Sequence, residues 1–131
     1  MRVIICLDDN FGMTFGGKRQ SRDSKVFEDI KNSCGKITIL PFSEKLVSSS
    51  GVEYCVKSDV SELADDEWVF LENINPKELG DKISTLVIYK WNRKYLSDMK
   101  CTLDLSQFKK AESSEFVGTS HDRITKEIYN R

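Results

Sequence analysis

A single histidine, His121, serves the whole chain, which excludes a zinc site built from several imidazoles and any chemistry that needs two histidines. Cys6, Cys34, Cys55 and Cys101 are scattered without a Cys-x-x-Cys pair, and Cys6 and Cys55 fall inside apolar, strand-like runs. That usage fits reduced thiols packed in a cytoplasmic protein rather than a disulfide framework. No apolar run approaches membrane-spanning length, and "VIICL" near the start is too short for a span or a signal peptide, so the protein is expected in water and inside the cell. Neither charge is in excess: 20 Lys and Arg against 21 Asp and Glu give a net charge of −1, without the basic surplus of a dedicated nucleic-acid binder. Any attraction for an anion must therefore be local. Internal repeats, low-complexity tracts and domain linkers are also missing; the serine triplet at 48–50 is too short to be one.

What is present suits one compact domain over residues 1–131, a length able to bury a core without disulfides or metals. Val3–Leu7 are uniformly apolar, as in a strand covered on both faces within a parallel sheet. Val26, Phe27, Ile30 and Cys34 then fall on one helical face, with Asp23 or Ser21 as N-cap and Gly35 as the stop. "KITIL" reads as a second buried strand, and Pro41 opens a short helix through "FSEKLV". "VEYCVK", "EWVFLE" and "TLVIYKW" read as further strands, with a helix predicted over "NPKELGDKI". The alternation implies right-handed crossovers and a mainly parallel α/β sheet flanked by helices. After Trp91 the pattern changes to "NRKY", "KCTLDL", "FKKAESSEF" and "ITKEIYNR" with no amphipathic helix, which predicts a C-terminal antiparallel hairpin closing the sheet.

The segment "LDDNFGMTFGGKRQSRD", residues 7–23, joins the first strand to the first helix and carries the candidate site. Asp8, Asp9 and Asn10 stand just past the carboxyl end of the first strand, where ligands bind in open α/β sheets. They suit a metal or a ligand amine, or they simply solvate the strand exit. Arg19, Gln20 and Arg22 precede the helix N-terminus, whose free amides and dipole favour an anion, and two arginines add bidentate donors for phosphate or carboxylate. Ion pairs with Asp8, Asp9 or Asp23 are the alternative. In "KWNRKY", Arg93 and Lys94 interleave with aromatics that can stack on bases or rings. His121, in "GTSHDR", is a candidate acid or base, or a solvated loop side chain. Ser113, Ser114, Thr119 and Ser120 offer hydroxyls without an evident partner base, so no catalytic residue is assigned, and no metal site.

"VIICLDDNFGMTFGGK", "DIKNSCGKITILPFSEKLV" and "DLSQFKKAESSEFVGTSHDRITKEIYNR" together resemble a shortened dihydrofolate reductase: its first strand and mobile active-site loop, its first helix with the next strand and helix, and its closing strand, loop and strand. The resemblance implies that family's fold and brings the loop after the fifth strand and the hairpin loop against the first loop, so that Arg19, Arg22, Arg93, Lys94 and His121 converge. The family's chemical residues are replaced. Lys18, Arg19, Gln20 and Lys25 stand where Leu-Pro-Trp and the substrate-binding carboxylate belong. Pro41, Phe42, Ser43 and Glu44 replace the Gly-Arg-x-Thr that would hold the cofactor 2'-phosphate, the Gly-Gly against the pyrophosphate is missing from "VFLENINP", and Lys90 takes the place of the supporting threonine. The sequence also resembles small proteins from Firmicute bacteria that carry the name ribonuclease Z. The two-metal hydrolases properly so called need a His-x-His-x-Asp-His cluster that one histidine cannot build.

These features lead first to a module that binds an anionic or nucleotide-like small molecule near the first loop, without reductase activity. An NAD(P)H-dependent reductase with a reorganised cofactor site is the second reading, and nucleic-acid binding or cleavage through the basic aromatic stretch is the third. No cofactor and no oligomeric state is assigned.

Overall fold

A computed structural model describes residues 1–131. Its centre is β1 (Arg2–Leu7), hydrogen-bonded in parallel to β6 (Trp68–Phe70) on one side and β7 (Thr85–Lys90) on the other. Beyond β6 lie β4 (Lys36–Ile39) and β5 (Glu53–Val56), both parallel. Beyond β7 lies β10 (Ile124–Asn130), antiparallel to it, and then β9 (Lys109–Phe116), antiparallel to β10. The seven-stranded order is therefore β5-β4-β6-β1-β7-β10-β9, with the predicted hairpin closing one edge.

The side-chain period of two explains why β1 is apolar from Val3 to Leu7. Val3, Ile5 and Leu7 point to one face, where Leu86, Ile88 and Leu71 join them; Ile4 points to the other, against Phe27, Ile30, Phe70 and Val87. The second face is covered by α1 (Ser24–Cys34), whose Val26, Phe27 and Ile30 are buried. Asp23 rather than Ser21 caps this helix, in extended backbone, accepting from the Lys25 amide at 3.0 Å. Gly35, at φ 76°, ends it in a conformation that a side chain disfavours. Pro41–Ser43 form a 3-10 turn leading into α2 (Glu44–Ser48).

Two segments differ from expectation. The helix predicted over 75–83 is a pair of 3-10 turns, Pro76–Glu78 and Gly80–Lys82. Gly80 has φ 49°, which interrupts the helix, and the amides of Leu79, Lys82 and Ile83 reach back three residues instead of four. The first loop is itself folded: β2 (Gly12–Phe15) and β3 (Lys18–Arg19) form a hairpin around Gly16 and Gly17, at φ 59° and 75°. Two consecutive positive-φ residues make the tight turn whose twist matches its strands. A third strand, β8 (Met99–Lys100), pairs with β2 and ties this hairpin to the segment after β7.

Candidate functional site

Asp8, at the carboxyl end of β1, is buried and fully engaged. Its carboxylate accepts from the amides of Asn10 (2.9 Å), Gly12 (2.7 Å) and Tyr95 (3.0 Å) and from the Gln20 side chain (3.2 Å). Burial alone would raise this carboxyl, but the amides of Gly12, Tyr95 and Asn10 and the Gln20 side chain outweigh it and hold it below the usual carboxylate range. Asp8 thus knots the turn after β1 to the segment after β7. Asp9 and Asn10 are exposed, and the Asp9 amide donates to the Arg93 carbonyl at 2.9 Å.

Arg19 lies across the mouth of the crevice above β1. Its guanidinium makes two parallel hydrogen bonds to Glu72, at 2.7 and 2.8 Å, and sits 5.4 Å from the Phe42 ring centre. Bidentate pairing with a largely buried carboxylate fixes both groups. Behind this latch the crevice is filled by Phe27, Phe70, Leu46 and Trp91, leaving about 20 Å³, enough for one water.

His121 is buried, not solvated, and is the hub of a polar cluster. Its Nδ1 lies 2.9 Å from Asp23 Oδ2, and its Nε2 lies 3.0 Å from Ser21 Oγ and 2.9 Å from the Tyr95 hydroxyl. The ring stacks on Trp91 at 4.5 Å between centroids. Asp23 also accepts from the amides of Thr119 and Ser120, both at 2.9 Å. Burial would raise the Asp23 carboxyl; the Thr119 amide, His121 and the amides of Ser120 and Lys25 reverse that and hold it far below the ordinary range. An ionised Asp23 beside Nδ1 sets the tautomer, with the proton on Nδ1 and the basic lone pair on Nε2.

The turn entering α1, the segment after β7 and the β9–β10 turn therefore share one mouth, joined through Ser21, Tyr95 and His121. The cations do not all gather there. Arg22 is exposed, makes no ion pair, and borders two open depressions. One, of about 530 Å³, is lined by Gly17, Lys18, Arg19, Ser21 and Phe42 besides Arg22; the other, of about 410 Å³, is lined largely by the hydroxyls of Ser24, Ser49, Ser50, Thr119 and Ser120. Arg93 borders a separate depression with Asn92, Asp122 and Arg123, while Lys94, Asp9 and Asn10 line none of these. Gln20 spans Asp8 and the Leu96 carbonyl (3.1 Å). No group of three or more His, Cys, Asp or Glu is placed to hold a metal ion.

Sequence reasoning missed Glu72, Tyr95 and the joint role of Ser21 and Asp23. Asp23 was visible as a helix cap, but its second partner lies 98 residues away.

No family model and no curated protein matches this sequence. Among solved structures, dihydrofolate reductase from Enterococcus faecalis, complexed with NADP(H) and RAB-propyl, superposes with a TM-score of 0.70 at 14% identity, covering 99% of this chain and 95% of that chain. The fold is that of dihydrofolate reductase. The segment after β6 directs the Glu72 carboxylate onto Arg19. No helix is long and apolar enough to cross a membrane.

Proposed function

We propose that the protein binds an anionic, nucleotide-like small molecule at the rim of the first loop and does not reduce dihydrofolate. The observation that carries this reading is the filled crevice: Trp91, Phe27, Phe70 and the Arg19–Glu72 latch take up the space above β1. A flat ring buried beside β1 would have to displace packed side chains, and a pyrophosphate there would have to break the Arg19–Glu72 pair to gain the guanidinium. Recognition is thereby displaced outward to the depression bordered by Lys18 and Arg22, where Phe42 supplies an aromatic face. The α1 N-terminus contributes little, because Asp23 already occupies its amides and compensates its dipole.

Thermal stabilisation by a panel of AMP, ADP, ATP and NADPH tests the reading. A nucleotide at about 100 times its Kd stabilises by about 2.7 kcal/mol, and the shift is expected to grow with phosphate number and to vanish in Lys18→Ser/Arg22→Ser. Absence of any shift contradicts binding; NADPH-dependent turnover of dihydrofolate favours instead a reductase with a reorganised cofactor site, which the shared fold supports.

A further inference from the structure

Ser21, His121 and Asp23 stand in the geometric relation that activates a hydroxyl. Asp23 holds Nδ1 at 2.9 Å, and Nε2 lies 3.0 Å from Ser21 Oγ. These distances are those of a nucleophile touching its base and a base touching its orienting carboxylate. The imidazole and the Asp23 carboxylate are almost wholly out of water, at 1% and 0% side-chain exposure, whereas Ser21 is half-buried and lines the depression that holds Lys18 and Arg22. Among the hydroxyl-bearing residues of the cluster, Ser21 is the one that lines the hollow bordered by Lys18, Arg19 and Arg22. The Arg22 amide, next in chain after Ser21, makes no hydrogen bond within the protein and is free to receive a developing oxyanion. The Tyr95 hydroxyl lies 2.9 Å from Nε2 and 3.4 Å from Ser21 Oγ, so it competes with Ser21 for the imidazole lone pair.

We propose that Ser21 and His121, oriented by Asp23, form a nucleophile–base pair that hydrolyses acyl esters carrying an anionic group. The relay rests on its own geometry; the choice of an anionic ester rests on the binding function proposed above. Ser21 Oγ attacks the acyl carbon as its proton passes to Nε2, and the carbonyl electron pair moves onto oxygen. When that pair returns, the bond to the leaving alkoxide breaks and Nε2–H supplies its proton. Water then attacks the acyl-serine, giving one proton to Nε2, and the departing Ser21 Oγ recovers it, releasing the carboxylic acid. Asp23 is a positioning residue: it keeps the proton on Nδ1 and opposes the positive charge that develops on the ring.

The test uses 4-acetoxybenzoate and its neutral methyl ester, together with a fluorophosphonate probe read by peptide mass. The expected result is hydrolysis of both esters above buffer, about tenfold greater kcat/KM for the anionic one, and a single adduct on Ser21. Ser21→Ala is expected to abolish the adduct and lower kcat/KM about a thousandfold with an unchanged urea midpoint. Ser21→Cys gives a second readout: iodoacetamide alkylates the introduced thiol at pH 6, and His121→Gln slows it, as for a thiol paired with imidazole. Asp23→Asn is expected to shift the pH profile of the residual turnover, which a purely structural role would not move. Absence of the adduct, or hydrolysis retained in Ser21→Ala, overturns the relay whether or not nucleotides bind. Ser21-dependent hydrolysis that is equal for the two esters overturns the anionic substrate class and leaves the relay standing.

Discussion

Asp8 and Asp23 are buried carboxylates with four or more donors each, and neither is available as a simple ligand for a cation. Removing Asp8 orphans three amides and the Gln20 side chain where water reaches poorly, so Asp8→Ala is expected to lower stability by about 2–4 kcal/mol in urea unfolding. Asp8→Asn should cost less, because one oxygen still accepts. The Arg19–Glu72 pair calls for a double-mutant cycle. Arg19→Met leaves Glu72 largely buried and unpaired, at a cost of about 1–3 kcal/mol, discounted for the partial exposure of Arg19; adding Glu72→Leu is expected to restore most of the loss. A double variant whose loss equals the sum of the two single losses would show that the latch is not a coupled pair. These side chains were nameable from the sequence as polar residues in a loop. Their pairings were not, because Arg19 and Glu72 are 53 residues apart and nothing local distinguishes a locked arginine from a free one.

At the scale of elements, local rules served where local forces dominate. The apolar run of β1, the face of α1 with its Asp23 and Gly35 ends, and the alternation of strands and helices all follow from side-chain period and capping. The rules were also sufficient for the Gly16–Gly17 hairpin, had two consecutive glycines between "MTF" and "KR" been taken as a turn rather than as a loop. The segment 76–83 failed for a different reason: with Pro76, Leu79 and Ile83 as its anchors, tertiary packing accepts two short turns, and Gly80 favours the break. The α1 N-terminus yields a pH prediction. The Asp23 carboxyl is held lower in the folded protein than in the unfolded chain, so its stabilisation is complete above the unfolded value of about 3.9 and is lost as pH falls from there toward the folded value. Asp8 and Glu127, also lowered, contribute in the same direction. The urea midpoint is therefore expected to fall steeply below about pH 4. Asp23→Asn should start lower at pH 7 and lose less on acidification; an unchanged slope would remove Asp23 from the acid response.

For the whole molecule, the sheet order β5-β4-β6-β1-β7-β10-β9 decides what meets what. It places the exits of β1 and β7 side by side and folds the β9–β10 turn back over them, so that His121 reaches Ser21 across 100 residues. The sequence resemblance was enough to anticipate that convergence of segments. It was not enough to anticipate that the convergence would seal the crevice, since filling depends on how Trp91, Phe27 and Phe70 pack together. Trp91→Ala removes the ring under His121 and is expected to cost about 3–5 kcal/mol, with the space above β1 opened to a small apolar probe. On the proposed function, ligands meet this fold at its rim and not in its crevice. Amide chemical shifts recorded during titration with ADP test it most directly. Shifts are expected at Gly17, Lys18, Ser21, Arg22 and Thr119, with Ile4, Ile5, Cys6 and Leu71 unmoved; shifts concentrated along the ends of β1 and β6, or no shifts anywhere, would contradict binding at the rim.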